Sequence, residues 1–222
     1  MAKLCLALDT DFEKALELIK ALEGYPVVIK VGYKLFISHH RNITDRVKEG
    51  GFELFLDLKL HDIPNTVREG VLSAKELGAD YLTLHISAGR QALREAIRVK
   101  GGLKLLGVSL LTSLDEEDLR ELGYCKARQE HVLDLARIAL GEGVDGIVCS
   151  GMELKLLRET FGSSFLAVVP GVRLEGEERD DQKRVVGFSE ALSLGADLVV
   201  VGRSVLRSKD PVKTVEGLLQ LL

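Results

Sequence analysis

The chain has 222 residues, 46% of them hydrophobic, and carries 34 acidic against 30 basic side chains for a net charge of −4. That balance gives no reason to expect nucleic acid or an anionic membrane as a partner, although a local basic pocket for a small anion needs no basic protein. No apolar run approaches the roughly 18 residues of a membrane span, and the three cysteines, Cys5, Cys125 and Cys149, lack the CxxC spacing of structural zinc or the even number of a disulfide framework.

The first segment, Met1 to Asp9, is too short in apolar residues for a signal peptide and reads as a strand, so the expected location is the cytoplasm. From there one pattern repeats: a short apolar run ends in a polar residue or Gly, and an amphipathic helix follows. The predicted strands are Leu4–Leu8, Val27–Val31, Glu53–Leu58, Tyr81–Leu84, Lys104–Ser109, Gly146–Cys149, Phe165–Val169 and Leu198–Val201. Most are near-continuous apolar runs, as parallel strands covered on both faces should be. Between them, Phe12, Ala15, Leu16, Ile19 and Leu22 share one helical face, as do Val132, Leu135, Ala136, Ala139 and Leu140. Leu77-Gly78-Ala79-Asp80, Gly143-Val144-Asp145 and Leu194-Gly195-Ala196-Asp197 each place a Gly at a helix end just before the next strand. Eight strands alternating with helices in this length predict an α/β fold, one (β/α)8 TIM barrel domain over residues 1–222. A doubly wound open sheet is the competing architecture, and no GxGxxG follows the first strand to support it. The chain holds only two Asn and four Gln, which resembles heat-adapted composition and is also within ordinary variation.

Barrel enzymes build their sites at the C-terminal ends of the strands. Here those ends carry Asp9, Lys30, Asp57, Lys59, His85, Thr112, Arg173 and Arg203. Lys30 interrupts the otherwise apolar Val27–Val31, and a buried lysine is costly unless paired. Asp57 and Lys59 stand two apart on one strand and should face the same way. Asp62 follows closely enough to turn back toward Lys59, so Lys30 and Lys59 between Asp57 and Asp62 would alternate in charge. A buried ion network that only holds the barrel is the bland alternative, but ion pairs of that kind stabilise weakly. At the other end, Val201-Gly202-Arg203-Ser204 reads as strand, Gly turn and helix start, a place where barrels bind phosphate. The charged stretch Arg173 to Lys183 has the composition of a mobile lid or of a plain exposed loop. His85 ends a strand and could be catalytic or structural; His39, His40 and His131 fall within helices. No two histidines have metal-ligand spacing, so no metal is expected.

These residues resemble the orotidine 5′-phosphate decarboxylase family over nearly the whole chain. The Asp-x-Lys-x-x-Asp-Ile-Pro-x-Thr pattern stands as Asp57, Lys59, Asp62, Ile63, Pro64 and Thr66. Leu8-Asp9, Leu111-Thr112-Ser113, Pro170 to Arg173, Asp181-Gln182 and Val201 to Arg203 follow in the family's order, the Pro-Gly-Val-Arg form and Asp-Gln being of the bacterial type. The resemblance implies decarboxylation of orotidine 5′-monophosphate to UMP, the last step of UMP biosynthesis, without a cofactor. It implies that Asp9 and Lys30 hold the ribose, Asp57 faces the substrate carboxylate, and Lys59 protonates C6. Thr112 would lie beside the base, while Arg173, Arg203, Gly202 and Gln182 would hold the phosphate. Asp62 and Thr66 would enter a partner subunit's site, which implies a homodimer with shared sites.

Two other readings compete. A metal-dependent barrel of the same group, decarboxylating or condensing a sugar phosphate with Mg2+, also resembles the Asp-x-Lys-x-x-Asp pattern, but it places a metal-binding Glu where this chain has Lys30, and a cation there would repel Mg2+. A non-catalytic nucleotide-binding barrel would need the arginines but not Lys59.

Overall fold

The computed structural model describes residues 2–173, with only the backbone of Arg173, and residues 186–222. Its strands are β1 (Lys3–Ala7), β2 (Val27–Val31), β3 (Glu53–Leu60), β4 (Tyr81–His85), β5 (Lys104–Val108), β6 (Gly146–Val148), β7 (Leu166–Val169), the short β8 (Val172–Arg173) and β9 (Val186–Gly187), and β10 (Leu198–Val201). Among the described residues β8 and β9 pair only with each other; the rest close into a barrel in the order β1-β10-β7-β6-β5-β4-β3-β2. The predicted TIM barrel is therefore the observed fold, with all eight predicted strands in place, two of them with the predicted bounds and the rest with ends displaced by no more than two residues. The helices are α1 (Phe12–Ala21), α2 (Tyr33–Glu49), α3 (Pro64–Glu76), α4 (Arg90–Val99), α5 (Glu116–Glu121), α6 (Arg128–Glu142), α7 (Gly151–Phe161), α8 (Phe188–Ser193), α9 (Arg203–Leu206) and α10 (Pro211–Leu219). The helical faces read from spacing are the buried ones: Ala15, Ile19 and Leu22 of the first, and Val132, Leu135, Ala136 and Ala139 of the second.

Alternation along the strands divides the interior into two cores. One parity packs outward against the helices, as with Leu4 and Leu6, Val27 and Ile29, Leu54 and Leu56, and Leu82 and Leu84. The other fills the lumen with Cys5, Ala7, Val28, Phe55, Tyr81, Leu106, Val168, Leu198 and Val200. Because both faces are covered, the strands read as unbroken apolar runs. The same inward parity carries Lys30 on β2, Asp57 on β3 and Thr83 on β4, so polar groups stand directly above an apolar plug.

The three Gly-x-Asp turns close the opposite end in one repeated way. Gly78, Gly143 and Gly195 take positive φ values of 72°, 95° and 91°, the left-handed exit that glycine adopts without a Cβ clash. The aspartate that follows then accepts a backbone N–H from a neighbouring strand: Asp80 from Leu54 at 2.7 Å, Asp145 from Leu105 at 2.8 Å and Asp197 from Ala167 at 2.8 Å. Lys48, Lys100 and Arg158 neutralise these carboxylates. The barrel floor is thereby fixed by side chains while the other end is left for the site.

Candidate active site

A cavity of about 730 Å3 opens at the C-terminal ends of the strands, within the ~300–1,000 Å3 range of small-molecule sites. Lumen-facing Ala7, Phe55, Val108, Val148, Val168 and Val200 form its floor, and Asp9, Lys30, Asp57, Lys59, Thr112, Gly202 and Arg203 line it. Most of the residues singled out in sequence are thus brought together from five different strand ends.

The charged residues form a row. Lys30 is 8% exposed, with its Nζ 3.1 Å from Asp57 Oδ2 and 3.7 Å from Asp9 Oδ1. Lys59 Nζ donates to Asp57 Oδ1 at 2.7 Å. The order Asp9, Lys30, Asp57, Lys59 alternates in sign, so each inner charge is flanked by opposites. Burial alone would raise the Asp57 carboxyl, but Lys30 and Lys59 overcome it and hold the group at about 2. Burial alone would depress the Lys30 ammonium; Asp57 and Asp9 outweigh it and the group is raised. Both are charged at neutral pH, and each depends on the other to be so. Gly32 is built close against this row: a Cβ there would lie 3.2 Å from Asp9 Oδ1 and 3.4 Å from Lys30 Nζ.

The expected place of Asp62 in this row is corrected. Asp62 is exposed, and its carboxylate accepts the N–H of the next residue, Ile63, at 2.7 Å. It is not among the residues that line its own cavity, and Asp9 is the fourth member instead. Thr66, near the start of α3, is also exposed. Neither lines the cavity, and Ile63 between them is 67% exposed.

Regular pleating is not what makes Asp57 and Lys59 converge. β3 pairs with β4 at Leu56 opposite Leu82 and again only at Leu60 opposite Leu84. Three residues of β3 therefore stand against Thr83 alone, and the extra length is taken up in a bulge in which Lys59 has φ 46°, a left-handed conformation that a lysine adopts at a cost. The bulge is fastened from two sides. Tyr33 donates its hydroxyl to the Leu58 carbonyl at 3.1 Å and sets its ring 5.7 Å from Lys59 Nζ. Thr83 Oγ1 accepts the Lys59 N–H at 2.8 Å and donates to Asp57 Oδ1 at 3.0 Å.

Thr83, Tyr33, Lys14 and Arg207 also line the cavity and were not anticipated. Thr83 looks like an ordinary β-branched strand residue, though its parity with Tyr81 marks it as inward. Lys14 sits on the polar side of α1 and donates to the Leu206 carbonyl at 2.8 Å, a contact 192 residues away in sequence that no local pattern signals. Lys14, Arg203 and Arg207 are basic residues of the lining, a residue type suited to an anionic group. α9, which begins at Arg203, is a four-residue helix, shorter than the strand-turn-helix reading implied. The Arg173 side chain and Gln182 lie outside the described residues. His85 does not line the cavity; its ring lies 5.2 Å from that of His61 between centroids, tilted by 43°, and burial, with His61 and Lys59 nearby, holds its pKa below the usual value.

An ammonium beside a carboxylate in a partly closed pocket can oppose a developing carbanion and then deliver a proton. Comparison with known proteins agrees with that chemistry. The model of the orotidine 5′-phosphate decarboxylase / HUMPS family matches residues 2–218. Orotidine 5′-phosphate decarboxylase of Aquifex aeolicus is 42% identical over 231 residues, covering 100% of this chain and 99% of that protein. The enzyme of the same name from Ehrlichia canis is 42% identical over 216 residues, covering 96% and 94%. The crystal structure of orotidine 5′-phosphate decarboxylase from Lactobacillus acidophilus superposes with a TM-score of 0.87 at 32% identity, covering 100% of this chain and 99% of that one. The chain belongs to the orotidine 5′-phosphate decarboxylase / HUMPS family.

Proposed function

We propose that this protein decarboxylates orotidine 5′-monophosphate to UMP, the last step of UMP biosynthesis, and that residues 1–222 act as one barrel domain. The observation that carries the reading is the row Asp9, Lys30, Asp57, Lys59 at the head of the lumen. In the reaction the bond from C6 to the carboxylate breaks, CO2 leaves, and the electron pair stays on C6. Lys59 opposes that charge and gives C6 a proton, and water restores the lysine. Asp57 lies against the substrate carboxylate, a like-charge contact that is relieved as CO2 departs. Asp9 and Lys30 hold the ribose hydroxyls, and Thr112 lies beside the base. Arg203 and the Gly202 backbone take the phosphate, together with Arg173 and Gln182. Phosphate contacts far from C6 raise kcat when their binding energy is used to close the site.

The reading needs no metal or other cofactor. Lys30 supports this: its ammonium stands between Asp9 and Asp57, the position a divalent cation held by those carboxylates would take. The metal-dependent sugar-phosphate alternative is disfavoured by that same lysine, and a non-catalytic nucleotide-binding barrel leaves Lys59 without a task. The reading extends to a homodimer with shared sites, Asp62 and Thr66 each completing the partner's cavity. It is supported by their exposure beside Ile63 at the barrel mouth. Among the described residues no helix is long and apolar enough to cross a membrane, and we read the enzyme as cytoplasmic.

The test is conversion of orotidine 5′-monophosphate to UMP by protein treated with EDTA. Turnover unchanged by the chelator is expected. No turnover, or turnover restored only by Mg2+, contradicts the proposal.

A further inference from the structure

We infer that Thr83 is a positioning residue for decarboxylation, acting by holding Lys59 and Asp57 in register through its hydroxyl. The inference rests on the proposed function and on Lys59 as its proton donor. It starts from the mismatch between β3 and β4. Between the paired positions Leu56–Leu82 and Leu60–Leu84, β3 has three residues and β4 has one. A strand carrying such an excess loses its ladder partners over the bulge, and the stranded N–H groups need other acceptors because buried backbone donors are almost always paired. The one β4 residue opposite that excess is Thr83. Its side chain, 1% exposed, supplies the missing acceptor.

The resulting bonds close a ring. The Lys59 N–H donates to Thr83 Oγ1 at 2.8 Å, the Thr83 hydroxyl donates to Asp57 Oδ1 at 3.0 Å, and Lys59 Nζ donates to that same oxygen at 2.7 Å. A hydroxyl has one proton to give and can accept as well, so both bonds are made at once. No aliphatic side chain does either. The ring ties the backbone of Lys59, held at φ 46°, to the carboxylate that its own ammonium must face. Asp57 Oδ2 is turned to Lys30 at 3.1 Å, so both carboxylate oxygens are engaged and the group cannot rotate without breaking a contact. The hydroxyl thus sets the direction in which Lys59 leaves the strand, while the ribose and phosphate contacts lie elsewhere in the cavity.

A misplacement of about 1 Å at a reacting group costs up to ~100-fold in rate. Thr83→Val keeps the shape and β-branching and removes the hydroxyl. It is expected to lower kcat by ~10- to 100-fold while KM for orotidine 5′-monophosphate changes less than about threefold. Thr83→Ser keeps the hydroxyl and is expected to recover most of kcat. The acid limb of the kcat profile should move to higher pH in Thr83→Val, because a donor to the Asp57 carboxylate is lost. If Thr83→Val does not fold, Thr83→Ala makes the same comparison. A hydroxyl-free variant with kcat within about twofold of wild type overturns the inference. So does Thr83→Ser as impaired as the hydroxyl-free variant, which would assign the loss to packing. A wild-type protein with no decarboxylase activity overturns the proposed function itself, and this inference with it; an active wild type with an unimpaired Thr83→Val overturns the inference alone.

Discussion

Lys30 Nζ stands 3.1 Å from Asp57 Oδ2, and the two side chains are only 10% and 14% exposed. Each is a charge the interior would reject without the other. Removing one member of a buried pair leaves an uncompensated charge and costs about 3–5 kcal/mol. Asp57→Asn is therefore expected to destabilise the fold at pH 7 by an amount of that order, and the cost should depend on pH. The Asp57 carboxyl is held at about 2 against an ordinary value of 3.8. A depressed folded pKa contributes stability that is fully present above the unfolded value and is lost as pH falls through the folded one. The difference between wild type and Asp57→Asn should therefore narrow between pH 4 and pH 2, by about 2 kcal/mol. Urea unfolding at several pH values measures it, and a difference that stays constant over this window would refute the coupling.

Gly32 tests how tightly the other end of the row is fitted. Its Cβ position is 3.2 Å from Asp9 Oδ1 and 3.4 Å from Lys30 Nζ, so Gly32→Ala must displace the carboxylate that is proposed to hold the ribose. KM is expected to rise by ~3- to 10-fold with little change in Tm, the signature of lost uniform binding. An unchanged KM would mean that Asp9 does not touch the substrate.

The fold was legible because its strands are covered on both faces and its turns repeat one chemistry, Gly then Asp, whose carboxylates do peg the neighbouring strands. Lys30 was legible for the opposite reason: a charge in an apolar strand demands a partner. What escaped the sequence was the bulge. Asp57 and Lys59 were expected on one face by period two, and they do converge, but through a left-handed Lys59 and two surplus residues. Register is a relation between two strands, so neither strand alone reveals it. The role of Thr83 was hidden with it. Asp62 was misplaced in the row because sequence proximity says nothing of the direction in which a turn throws its side chain.

That direction makes the shared-site reading testable. If Asp62 serves the partner's cavity, Lys59→Ala and Asp62→Ala chains are each nearly inactive as homodimers. Each hybrid dimer, however, contains one intact site. Random exchange makes half of the dimers hybrid, so about a quarter of wild-type activity should return on mixing. No recovery, despite subunit exchange demonstrated with labelled chains, would count against shared sites.

The most direct test of the account is turnover of orotidine 5′-monophosphate by Lys59→Ala beside wild type, both in D2O with EDTA. Wild type is expected to yield UMP carrying deuterium at C6. Lys59→Ala is expected to keep its fold and its affinity for UMP while losing at least ~1,000-fold in kcat, toward the upper end of what a positioned general acid supplies. A Lys59→Ala protein that retains most of its rate would contradict the central claim that this lysine, held against Asp57, delivers the proton.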